Sequence, residues 1–433
     1  MSSLKHFALL LLALLLQSVG LLAWQDYKDY KVFELQAHDA GQLKMLRQLA
    51  REKPHWDILG SRRTHNGLRV LVSPTQVDDL LALLQEKQLE HQLLLDDISE
   101  LLLAQREENR RSKLRLQLPQ IDVFGAFYTH TEINAYLDSL PQRFPRRALV
   151  KQFGWSYERR PLKLLTISNG DGRSNKPVIF IDAAMHAREW IAPSLALYII
   201  QELLEKPEEH AELLKDYDWI IMPVVNADGY EYTHTDSRYW RKTRKPTSDP
   251  NNTGTDLNRN FGYMWGQDDG SSSDPAEEIY RGEHAFDQPE SQVVRDVLLT
   301  YSDRLTFYLS LHSYGNYLLL PWGHTSELPD TWRDLHEVGK AGADAIKAAT
   351  GTDYSVGCST TLLYEAAGAS DDYAFNAGFP ISFTMELPAG GQNYFDPPPS
   401  DIDRLVKETW IGIRAMAQKV VRKYPIDARS NAP

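Results

Sequence analysis

Between Ile179 and Pro193 the chain reads IFIDAAMHAREWIAP, an apolar run that stops at His186, Arg188 and Glu189. His186 and Glu189 lie three positions apart, so a single turn can aim both side chains at one point. A second apolar run, LTFYLSL, stops at His312, and a third, PISFTM, stops at Glu386. Two neutral imidazole nitrogens and one carboxylate are the three-protein-ligand set of a catalytic zinc site, which keeps a fourth position for water. His186, Glu189 and His312 are therefore expected to hold one zinc ion, with Glu386 beside it as a second carboxylate. Taken singly, His-x-x-Glu recurs by accident on surfaces, and a His closing a strand can be a satisfied core side chain. It is the joint pattern that points to a metal.

Charge bookkeeping extends the reading. Glu189 and Glu386 together cancel the charge of a divalent ion. Arg188, Arg241 in YWRK and Arg259 in DLNRN would then leave the crevice cationic, if they gather there. Such a crevice suits a substrate with a carboxylate, which the guanidinium fork binds through two parallel hydrogen bonds.

The elements that must position these residues follow from periodicity. From about residue 120, the apolar stretches LKLLTIS, PVIFIDAAM, WIIMPVVN, LTFYLSLH, YLLLPW and PISFTMEL alternate with helical patterns near 188–205, 288–302, 333–350 and 401–423. That alternation predicts an α/β domain with a mixed central sheet covered by helices on both faces. In such sheets ligands bind beyond the carboxyl ends of the strands, where all three runs above end. Residues 30–115 read differently, as β-α-β-β-α-β, the order of a small ferredoxin-like α+β unit. A polar helix follows, carrying Arg110, Arg111, Lys113 and Arg115, and it reads as a connector open to trypsin-like cleavage.

The bulk properties exclude some classes. A net charge of −12 over 433 residues argues against a nucleic-acid binder. Lys5 and His6 precede the uncharged run FALLLLALLLQSVGLLA, which ends near small residues. That order is expected of a secretory signal; a membrane anchor is the alternative. No later stretch is apolar enough to span, so no membrane association is expected of the mature form. One cysteine, Cys358, rules out an intramolecular disulfide and reads as a small buried hydrophobe. Asn251-Asn252-Thr253 is a glycosylation sequon in a loop-rich stretch.

Together HAREW, NADGYEYTHTDSRYWRK, DLNRNF, LHSYGNYLLLPWG and TMEL resemble the zinc metallocarboxypeptidases of the A/B type, secreted as pro-enzymes. The resemblance covers nearly the whole chain and implies a signal peptide over 1–23, a pro-domain over 24–115 and a catalytic domain over 116–433. It implies that His186, Glu189 and His312 ligate zinc and that Glu386 is the general base. Arg241 would polarise the scissile carbonyl. Asn258, Arg259 and Tyr364 would clamp the terminal carboxylate, Tyr364 from a flexible loop, with Arg188, Ser313 and Tyr314 as neighbouring subsite residues. Asp371 aligns with the floor of the side-chain pocket, where aspartate marks the B type and C-terminal Lys or Arg. Ser359 and Gly323 would leave room for a long side chain.

Other readings of the same residues stay open. Asp371 or Asp372 would merely cap a helix starting near Ser370; the specificity would be A-type; the scaffold would serve a zinc amidohydrolase; or the site would be a non-catalytic relic. Two departures from the family pattern stand out. Its usual disulfide falls at Asn252 and Ala276, and the loop LPAGGQNYF lacks the expected charges. The expected partners are peptide or protein C-termini and an activating trypsin-like protease. The chain is expected to be a secreted monomer.

Overall fold

The computed structural model describes residues 24–425, apart from position 40, 43–44, 47, 50–55, 63–66, 116–124, 268–269 and 389–394. The signal expected over 1–23 and the loop at 389–394 lie outside the described residues.

The N-terminal unit contains β1 (Lys31–Gln36), β2 (Trp56–Arg62), β3 (Gly67–Val72), α1 (Val77–Glu86) and β4 (His91–Leu95). The described residues between 41 and 49 are helical. The sheet order β2-β3-β1-β4, antiparallel throughout, is that of the expected split βαβ unit. Phe33, Leu35, Trp56, Val70, Leu80 and Leu84 form its own core. The connector helix α2 (Ser99–Arg115) follows as expected. Arg110 and Arg111 both pair with Glu107, and Lys113 pairs with Glu132.

The larger unit is built on an eight-stranded mixed sheet of order β11-β10-β12-β9-β7-β8-β6-β5. The six apolar stretches became β6 (Pro161–Ile167), β7 (Val178–Ala183), β8 (Asp218–Met222), β9 (Leu305–Ser313), β10 (Tyr317–Leu320) and β12 (Ile381–Leu387). In β7, β8, β9 and β10 every residue is buried, because the sheet is covered on both faces. Two edge strands, β5 (Ala148–Trp155) and β11 (Ser355–Cys358), were not foreseen. Both are partly exposed and lack an unbroken apolar run.

Helices α3 (His130–Arg143), α4 (Ile191–Glu205), α5 (Ala227–Thr235), α6 (Pro289–Thr300), α7 (Trp332–Thr350), α8 (Ser370–Asn376) and α9 (Ile402–Lys423), with two short helices at Ala211–Lys215 and Ser359–Leu362, complete the unit. The pattern begun at 188 turns helical only at Ile191, because 186–189 form a tight turn. Among the helices not foreseen, α3 opens with a capping box between Thr129 and Glu132. Cys358 is buried, as expected. Asn251 is exposed. The loop around Asn252 is tied by hydrogen bonds, from Thr247 Oγ1 to the Asn252 carbonyl and from Asn252 Nδ2 to Asp249.

Candidate active site

Strands β7, β9 and β12 are parallel neighbours, so their carboxyl ends fall together. The register pairs Glu386 directly with His312. After β7 the chain reverses through Ala184 at a φ of 56°. Asn226 fixes that reversal: its Nδ2 donates to the carbonyls of Met185 and Lys242, while its Oδ1 accepts from Gly229 N and caps α5. One side chain thus locks the loop carrying His186 to the segment carrying Arg241. A bond from Ala187 N to the Arg241 carbonyl reinforces it.

His186, Glu189 and His312 are buried, with ligand atoms all within 4.8 Å of one another. His186 Nδ1 lies 2.8 Å from Glu189 Oε1 and 3.0 Å from His312 Nδ1, and His312 Nδ1 lies 3.1 Å from Glu189 Oε2. The outward nitrogens have their own partners. His186 Nε2 is 3.1 Å from Asp256 Oδ1, and His312 Nε2 is 3.1 Å from Ser310 Oγ, whose hydroxyl donates to Asp182. Burial opposes the charge on Asp256, but Arg241, Arg259 and His186 outweigh it and hold the carboxyl well below its usual range. An ionised carboxylate only accepts, and a hydroxyl already donating to Asp182 accepts from the ring. Both imidazoles therefore keep a proton on Nε2, so that with Nδ1 unprotonated two lone pairs and a carboxylate face one point. Lone pairs that close repel unless a cation lies between them. Zinc, with bonds of about 2.0–2.2 Å in a tetrahedral frame, holds its ligand atoms about 3.3 Å apart, so the donor set fits it. Burial opposes the charge on Glu189 as well, yet protons on the two rings hold its carboxyl below the usual range, and against burial Glu189 in turn pushes His312 up to about 9; a bound divalent cation takes the place of those Nδ1 protons.

Around this centre lies a cavity of about 360 Å³, lined by Arg188, Arg241, Arg259, Tyr314, Tyr364 and Glu386 among others. Glu386 is half-buried; burial first, then the Glu189 carboxylate, push it up to about 8 in the absence of an ion. A divalent cation acts in the opposite direction. Arg241 donates to Asp256 Oδ2 through Nε at 3.2 Å and Nη2 at 2.8 Å, so its fork is fixed. Asn258 Oδ1 accepts from Ser370 N at 2.9 Å. Arg259 is 2 % exposed, donates to the Asn258 carbonyl, and has no carboxylate partner among the described residues. Its Nε is buried without an acceptor. Tyr364 is half-buried, its ring 5.9 Å from the Arg259 guanidinium, and Ser359 Oγ donates to its carbonyl. Gly368 makes the close approach behind this clamp: at a φ of 72°, any Cβ would stand 2.5 Å from the Arg259 carbonyl. Ser313 N donates to Glu189 Oε2, and the Tyr314 ring packs edge-on against Phe395.

Several expectations need correction. The three arginines do gather, but the crevice is not simply cationic, because Asp256 neutralises Arg241. Arg188 does not stand free as a subsite residue: its Nη1 is 2.7 Å from Asp57 Oδ1 on β2 of the N-terminal unit, and its Nη2 donates to the Ile58 carbonyl. Trp56, Asp57, Ile58 and Leu59 line the same cavity, so that unit roofs it. Gly323 does not leave room for a ligand, since the Ala366 backbone fills the space and a Cβ would meet its carbonyl at 2.9 Å. Neither aspartate caps α8; the N-cap is Ala369, with no side-chain bond. Asp372 instead accepts from Gly323 N and His324 Nδ1. Asp371 is buried, is not among the residues lining that cavity, and forms no ion pair among the described residues; burial, then Asp372, push its carboxyl up to about 7.

Sequence reasoning missed Asp256, Asn226, Ser310, Asp182 and Asp57. The first two had a signal, as Asp opens DLNRN and Asn precedes Ala-Asp-Gly at a helix start. The others had none.

Comparisons with known proteins agree with this geometry. Residues 133–412 match the zinc carboxypeptidase family and residues 33–105 match the carboxypeptidase activation peptide. Carboxypeptidase B of Astacus astacus is 41% identical over 301 residues, 69% of this chain and 98% of that protein. Carboxypeptidase A1 of Bos taurus is 31% identical over 412 residues, 94% of this chain and 96% of that protein. The crystal structure of carboxypeptidase A from Helicoverpa armigera superposes with a TM-score of 0.86 at 30% identity, covering 92% of this chain and all of that one. With nearly two-thirds of its length matched by the family and its activation peptide alongside, the chain belongs to the zinc carboxypeptidases made with an activation segment.

Proposed function

We propose that the uncut chain is a zymogen of a carboxypeptidase that removes C-terminal Lys or Arg. The observation that carries the specificity is Asp371, a buried carboxylate without a cationic partner among the described residues. Burying an unpaired charge is costly, so the pocket gains most from a substrate that brings a cation. The 41% identity to a carboxypeptidase B supports the same reading.

His186, Glu189 and His312 would hold the ion. Zinc supplies Lewis-acid polarisation of a carbonyl and acidification of water. Glu386, at the end of β12 beside His312, would take the proton of the attacking water and return one to the leaving nitrogen. Arg241, held by Asp256, donates to the oxygen on which charge develops. Arg259, with Asn258 and Tyr364, receives the terminal carboxylate. A mid-chain peptide would leave that guanidinium buried and unpaired, which accounts for exopeptidase action. Ser313 and Tyr314 line the upstream side.

In the uncut chain Asp57 occupies Arg188 and the N-terminal unit roofs the cavity. Cleavage within Arg110–Arg115 separates residues 24–115 from the 116–433 enzyme. Trypsin treatment is expected to raise activity on hippuryl-Arg severalfold or more, with hippuryl-Phe cleaved far more slowly and both abolished by a chelator. Equal activity before and after cleavage would remove the zymogen reading; a preference for hippuryl-Phe would remove the role of Asp371.

Residues 1–23 act as a secretory signal in this reading, and the mature enzyme is a monomer. Exposed Asn251 then meets the glycosylation machinery. Protein secreted from eukaryotic cells should lose mass on peptide N-glycosidase treatment, and N251Q should not. An unglycosylated wild type would count against that route.

A further inference from the structure

Behind His312, on the side away from the cavity, lies a buried polar chain that the reaction above does not use. His312 Nε2 is 3.1 Å from Ser310 Oγ, Ser310 Oγ donates to Asp182 Oδ1 at 2.7 Å, and Tyr308 OH donates to Asp182 Oδ2 at 2.5 Å. Asp182, Tyr308 and Ser310 are each 0 % exposed. They come from two parallel strands whose register sets Phe180 beside Tyr308 and Asp182 beside Ser310. A carboxylate in the middle of an otherwise apolar sheet is expensive unless its neighbours satisfy it. Here its two oxygens take one hydroxyl each.

The two histidines are thus supported differently. His186 meets a carboxylate directly, whereas His312 meets one through a serine. A serine hydroxyl has one proton. Committed to Asp182, it turns a lone pair to His312 Nε2. The ring must then protonate at Nε2 and present Nδ1 to the cavity.

We infer that Asp182 is a positioning residue for zinc, acting through the Ser310 hydroxyl to fix the tautomer and orientation of His312. Without Asp182 the hydroxyl is free to reverse and donate to Nε2. That moves the ring proton to Nδ1, where it competes with the metal. Partners behind a ligating histidine are typically worth about 10–100-fold in metal affinity.

The inference rests on reading His312 as a ligand, so the test separates the two. Zinc affinity is measured by chelator competition on the trypsin-activated protein, with the Tm of each metal-free variant measured alongside. Ser310→Ala and Asp182→Asn are expected to bind zinc about 10–100-fold more weakly with a metal-free Tm close to that of the wild type. Ser310→Thr, which keeps a hydroxyl, should stay within a few-fold of wild type. The double variant should lose no more than Ser310→Ala alone, since both changes break one relay. Affinity within twofold of wild type for Ser310→Ala, or additive losses in the double variant, would overturn the relay. If Asp182→Asn does not fold, Ser310→Ala against Ser310→Thr decides. His312→Ala should lose high-affinity zinc altogether; retention there would defeat the ligand assignment itself.

Discussion

Glu386→Gln will lower kcat of the activated enzyme by about 10²–10⁴-fold, the usual worth of a positioned general base, while zinc content stays at one ion per chain. The amide keeps the size and the β12 backbone but cannot take a proton. Glu386 is not one of the three clustered donors, so the ion's own ligands remain intact. The sheet register sets Glu386 directly beside the proposed ligand His312. Steady-state kinetics on hippuryl-Arg, with metal content measured on the same sample, tests both halves of the expectation. A variant that keeps a tenth or more of wild-type kcat would mean that another group carries the proton. Loss of zinc along with activity would instead make Glu386 a structural support of the metal centre.

The second large effect is expected at Asp371. Asp371→Asn should reduce kcat/KM for hippuryl-Arg by about 10²–10⁴-fold, because breaking a buried pair by removing one partner costs about 3–5 kcal/mol. Activity on hippuryl-Phe should change little, or rise, since an apolar side chain gains nothing from the carboxylate. Burial, then the neighbouring Asp372, push the carboxyl up to about 7, so a lone charge is poorly tolerated at this position. A guanidinium from the substrate removes that penalty. An equal fall on both substrates would show that the mutation damaged the fold of α8 rather than the pocket's selectivity.

The roof over the cavity bears on both measurements. Arg188 is 3 % exposed and bound to Asp57 and the Ile58 carbonyl, so kinetics on uncut protein would report the roof and not the site. Activated protein is the proper material for each variant.

What the sequence by itself determined was the metal chemistry and the element order. His186, Glu189, His312 and Glu386 each follow an apolar run, and buried strands in parallel sheets must be apolar along their length. Their ends were therefore visible, and so was the family. Edge strands β5 and β11 escaped because partial exposure relaxes that demand. Only the tertiary structure decided who stands behind the ligands and who stands in front of them. Asp256 is 70 positions from His186, Asp182 is 128 from Ser310, and Asp57 is 131 from Arg188. Long-range pairs of this kind leave no periodic trace in a single chain. They form because packed layers bring charges together away from water, where an unmatched one is too costly to keep.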